Sequence, residues 1–137
     1  MSASRGEEHA TTVVNVKVAH IRPQYKNLRE WMAEENNVYI GRAGIVFVPT
    51  QEEEFSGSGK RRWPPAASKW ANPYKVGDSR SREEALELYE RHLDTLLLDE
   101  SNRKEFQLLR GKTLGCWCKP AKCHGDIITR RLAEMNR

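Results

Sequence analysis

All three cysteines of the chain, Cys116, Cys118 and Cys123, fall within eight residues, and the rest of the sequence has none. Cysteines packed this closely cannot staple distant segments together. A chain of 137 residues must therefore be held by a buried apolar core, which its length allows. An odd cysteine number also fits a reducing, intracellular compartment better than a disulfide scaffold. The length predicts one domain, 11–137, behind a polar, disordered tail, 1–10. That tail lacks the apolar stretch of a secretory signal, and no run of about 18 apolar residues offers a membrane span.

Hydrophobic periodicity divides the domain. Thr11 to Ala19 alternates, with Val14, Val16 and Val18 on one face, and predicts a strand. Leu28, Trp31 and Met32 predict a helix over 27–35, broken at Asn36-Asn37. Short strands follow at 38–40 and 45–48. Residues 50–80 have Gly and Pro but no period, and predict a long loop. Trp63, Trp70 and Tyr74 within it argue for a loop that folds over the domain or onto a ligand. Ser81 and Glu84 form a capping-box pair, with Ala85, Leu86, Tyr89 and Leu93 marking an apolar face behind it. A second short helix is expected from Asn102 to Gly111, a strand over 112–117, and a last helix over 123–135. Strands separated by helices predict an α/β fold: a small three-layer Rossmann-like domain with a mostly parallel sheet.

The net charge of +4 is unevenly spread. Residues 58–82 carry seven Lys/Arg against one acid, and residues 110–137 seven against two. The remainder is acidic. Two basic segments on an acidic chain point to an anionic partner, a nucleotide or nucleic acid. Lys60, Arg61, Arg62 and Lys69 supply charge for phosphate contacts, and Trp63 and Trp70 supply rings for base stacking, in a segment without an RNA-binding signature. A solvated loop with tryptophans covering the core edge is the plainer account of the same residues.

The run Cys116-Trp117-Cys118-Lys119-Pro120-Ala121-Lys122-Cys123-His124-Gly125-Asp126 sits where a strand hands over to a helix. Three accounts of it stand side by side. In one, Cys116, Cys118, Cys123 and His124 bind zinc, although neighbouring residues at a helix start diverge by about 100°. In another, Cys123, His124 and Asp126 are catalytic groups at a helix N-terminus, with a reactive thiolate, an acid–base imidazole and a carboxylate that orients it. Arg42, Asn72, Arg82 and Cys118 would then line a phosphate-binding crevice at the carboxyl ends of parallel strands. In the third, Cys116 and Trp117 are core, and Asp126 serves only the helix dipole. The leading expectation is a nucleotide or nucleic-acid-derived phosphate ligand bound, and processed if the site is catalytic, at this rim. The alternative is a zinc-stabilised nucleic-acid-binding module.

Taken in order, Val38-Tyr39-Ile40-Gly41-Arg42, Asn72-Pro73-Tyr74, Arg82-Glu83-Glu84-Ala85 with Tyr89, Leu109-Arg110-Gly111-Lys112 and the cysteine run resemble the family known as domain of unknown function 4326, found in phages, bacteria and large viruses. The resemblance covers roughly residues 12–135. It implies a compact α/β domain and implies no activity. Members pass quickly from the Gly-Arg to the Asn-Pro element. Here about thirty residues intervene, an insertion that would add a contact of its own.

Overall fold

A computed structural model describes residues 10–48, 61–77, 79–119 and 121–135; the expected tail over 1–9, and Lys60 of the basic loop, lie outside them. Three strands, β1 (Thr12–Asn15), β2 (Asn37–Tyr39) and β5 (Thr113–Cys116), form a parallel sheet in the order β1-β5-β2. The last strand in the chain is thus the central one. Its register pairs Gly115 with Val14 on one side and Tyr39 on the other. All three strands end at the same edge.

Between β1 and β2 lie α1 (Val18–Ile21) and α2 (Leu28–Ala33). The first strand is shorter than its alternation predicts. Asn15 accepts a hydrogen bond from the Lys17 N–H through its side chain (2.8 Å), a local turn that replaces the ladder and lets α1 begin. Asn27 caps α2 by accepting from the Glu30 N–H.

The long loop expected over 50–80 contains a strand, β4 (Arg61–Trp63), paired antiparallel with β3 (Val46–Val48) in a second, two-stranded sheet. Three residues, two of them arginines, carry no period-2 signal, so only the pairing reveals them. Beyond β4 the chain returns to the core, where Trp70 is buried edge-to-face on Phe106, ring centroids 5.2 Å apart.

Helix α3 (Arg82–Leu96) starts at the predicted capping box, with both Ser81–Glu84 bonds formed. Helix α4 (Glu100–Gln107) starts earlier than expected, because Asp99 rather than Asn102 is its cap. Gly111, at φ +76°, takes the left-handed turn that leads into β5. The chain closes with α5 (His124–Met135).

Strand alternation sorts the core into two clusters. Val13, Val38, Leu114 and Cys116 face Tyr89, Leu93, Ile128 and Leu132 of α3 and α5. Val14 and Tyr39 face Ile21, Leu28 and Trp31. Both faces of the parallel sheet are therefore covered, as such sheets require.

Candidate functional site

The carboxyl ends of β2 and β5 open onto a cavity of about 400 Å³. Its walls include Gly41 and Arg42 beyond β2, Cys116 at the end of β5 with Trp117 and Cys118 beyond it, Asn72, Tyr74 and Lys75 from the loop, Arg82 and Ala85 from the first turn of α3, and Cys123 and His124 where α5 begins. All four expected ligand-binding residues, Arg42, Asn72, Arg82 and Cys118, share this lining. Among the described lining residues none is Asp or Glu, and three are Arg or Lys. The N-termini of two helices of 15 and 12 residues reach the same space and add the positive ends of their dipoles.

Arg42, Arg82 and Asn72 are held by bonds to their own chain. Arg42 donates from Nε to the Asn72 carbonyl (3.0 Å), and Arg82 donates to the Lys122 carbonyl (3.1 Å). Each guanidinium has five N–H donors, so one such bond fixes its place without exhausting it. Asn72 accepts from the Tyr74 N–H (2.9 Å) and donates to the Ala85 carbonyl (3.4 Å). Its role is thereby to tie the loop to α3. Trp117 donates to the Tyr39 hydroxyl (2.8 Å), which donates to the Arg42 carbonyl (2.8 Å). Trp117, expected to be core, is half-buried: it packs against the Tyr39 cluster and also lines the cavity.

The cysteine run divides. Cys118 lies two residues beyond the strand rather than at its end, and a turn closed by the Ala121 N–H on the Cys118 carbonyl (2.8 Å) folds the chain back. That turn brings the buried Cys116 and Cys123 into contact, Sγ to Sγ 3.3 Å. The contact with Cys123, together with N–H groups of Cys118 and Lys119, pulls the Cys116 thiol down against its burial. Cys123, in contact with the Cys116 sulfur and itself buried, is pushed up.

His124 places Nε2 2.7 Å from the Ile40 carbonyl. A carbonyl only accepts, so Nε2 carries the proton and Nδ1 is the remaining acceptor. Burial, with the charge of Arg42, holds the imidazole below its usual pKa and therefore neutral near pH 7. Asp126 does not orient it. Its carboxylate accepts from the Cys123 N–H (3.1 Å) and pairs with Lys119 (2.7 Å), outside the cavity lining.

The metal expectation requires convergence. Among the described residues, no group of three or more His, Cys, Asp or Glu is placed to hold an ion. Tetrahedral zinc, with Zn–S near 2.3 Å, would also hold two sulfurs roughly 3.7 Å apart, wider than the 3.3 Å found for Cys116 and Cys123. As arranged, Cys116 and Cys123 touch each other, and the four expected ligands do not converge on a common point.

The expected nucleic-acid residues are scattered. Trp70 is core, so it offers no stacking face. Lys69 bonds Asn102 and Glu105, both at 2.8 Å. Arg62 donates to the Gly44 carbonyl, and Trp63 to Met32 Sδ. Arg61 lies in β4. Lys75 is the cavity cation that the sequence reading missed. Its only signal was its place in the basic segment, three residues after Asn72.

One prediction concerns His124. The unfolded imidazole takes up a proton near pH 6.5 and the folded one resists it. The unfolded state therefore binds more protons below that pH, and stability falls as pH falls. His124→Gln keeps an N–H for Ile40 but does not titrate. Urea unfolding from pH 7 to 5 should show a shallower decline for the variant, by up to about 1.4 kcal/mol per pH unit. Parallel curves would contradict the assignment.

The family model for the domain of unknown function (DUF4326) matches residues 24–134. An uncharacterized 12.4 kDa protein from the nrdA-td intergenic region of Enterobacteria phage T4 is 43% identical over 60 residues, covering 43% of this chain and 55% of the phage protein. The chain thus spans about half the length of the curated relative it matches. No solved structure matches it.

Proposed function

We propose a function for this chain, which belongs to the DUF4326 family, from the charge of its cavity: it binds a nucleotide or another nucleic-acid-derived phosphate ligand. One observation carries the reading. Arg42, Lys75 and Arg82 share a cavity of about 400 Å³ with no acid among its described lining residues. The volume lies in the small-molecule range, and the half-buried Trp117 and Tyr74 add apolar faces beside the cations. Two arginines suit forked contacts to phosphate oxygens. The neutral His124 and the thiols of Cys116 and Cys123 form the wall where processing of the ligand would take place.

Clusters on both faces of the sheet support the finer architectural reading, a three-layer Rossmann-like arrangement with a ligand at the strands' carboxyl ends. Three free cysteines support a reducing, intracellular setting. No helix among the described residues is long and apolar enough to cross a membrane.

The test is a panel of nucleoside mono-, di- and triphosphates, nucleosides and inorganic phosphate, read by calorimetry on the full chain. A phosphate-bearing member should bind, its nucleoside should not, and affinity should fall as salt rises. Equal binding of a nucleoside and its phosphate ester would contradict the assignment of the cations.

A further inference from the structure

The cavity holds a feature that phosphate binding leaves unused. Cys116 ends the central strand and Cys123 immediately precedes α5, and their sulfurs lie 3.3 Å apart. A disulfide needs about 2.05 Å, a short closure along a contact already made. Both residues line the cavity. Cys118, on the same wall, has no sulfur contact like that between the other two.

We infer that Cys116 and Cys123 form a dithiol that exchanges with an anionic low-molecular-weight disulfide entering this cavity. The Cys116 thiolate attacks one sulfur of the incoming disulfide. A mixed disulfide forms, and the other half leaves as a thiolate that takes a proton from solvent. Cys123 then attacks the Cys116 sulfur, yielding its own proton to the second leaving thiolate. The products are a Cys116–Cys123 disulfide and two small thiols. The protein loses two electrons and the incoming disulfide gains them. Arg42, Lys75 and Arg82 on the wall favour an anionic substrate. That preference rests on the cationic cavity proposed above, whereas the exchange itself needs no nucleotide.

The full reduced chain, under native conditions, is treated with glutathione disulfide, which is anionic, or with cystamine, which is cationic, and the products are mapped by peptide mass spectrometry. The expected product is the Cys116–Cys123 bond. It should form at least ~10-fold faster with glutathione disulfide, by a margin that shrinks as salt rises. Cys116→Ser and Cys123→Ser should each lose it. Should the serine variants fail to fold, the wild-type peptide map and the two rates still decide. Four results would overturn the inference: glutathione on Cys118 alone, a bond that forms only in urea, equal rates with the two reagents, or reduced protein that carries stoichiometric zinc on these sulfurs. Failure of nucleotide binding leaves this test intact, because its readout is a bond between two named cysteines.

Discussion

Gly115→Val is expected to destabilise the domain by at least ~3 kcal/mol and to lower Tm by roughly 12 °C. Gly115 sits mid-way along the central strand, hydrogen-bonded into ladders on both sides. A Cβ there would lie 2.5 Å from Trp31 Cη2 and 2.6 Å from Val16 Cγ1. Neither neighbour can retreat easily, because both are buried in the cluster that covers this face. Nor can the backbone move aside without breaking both ladders. Valine brings two further carbons into the same space. Against a total stability of about 5–15 kcal/mol, the loss is large. Gly77→Ala is the control, since nothing lies within 4 Å of a Cβ at that position. A Gly115→Val protein that melts with the wild type would mean that Trp31 does not cover the strand.

Replacing Arg42 and Arg82 together by alanine should weaken the phosphate ligand by about 100-fold or more, since each charge-assisted bond contributes roughly 1.5–3 kcal/mol. The two effects will not add fully if both guanidiniums grip one phosphate group. Folding should change far less. Arg82 is exposed and Arg42 half-buried, and each gives one hydrogen bond to a carbonyl. The paired lysine substitutions keep the charge but lose the fork, and should fall between. Arg130→Ala, which removes a cation paired with Glu90 away from this cavity, should bind as the wild type does. If the double alanine variant keeps its affinity, these arginines are not the ligand's anchors.

What could be read in the sequence was what local chemistry decides. The Ser81–Glu84 box formed as its spacing requires, and the strand-to-helix handover at Cys116–His124 put the polar residues at the rim. Features set by contacts far along the chain could not be read. Arg61–Trp63 became a strand only by pairing with Val46–Val48. Lys75 joined the cavity because Asn72 ties its loop to α3. Asp126 had two open roles, and the positions of Lys119 and the Cys123 N–H settled it as a capping and pairing group. The Cys116–Cys123 contact depends on how tightly residues 117–122 turn, which spacing alone does not determine.

The most direct measurement of the central claim is an amide and arginine-Nε chemical-shift map of the labelled chain during titration with the tightest nucleotide of the panel. Perturbations should concentrate at Gly41–Arg42, Tyr74–Lys75, Arg82, Trp117–Cys118 and Cys123–Gly125, and should vanish with the double arginine variant. Perturbations confined to Arg61–Trp70, with the cavity residues silent, would contradict the account.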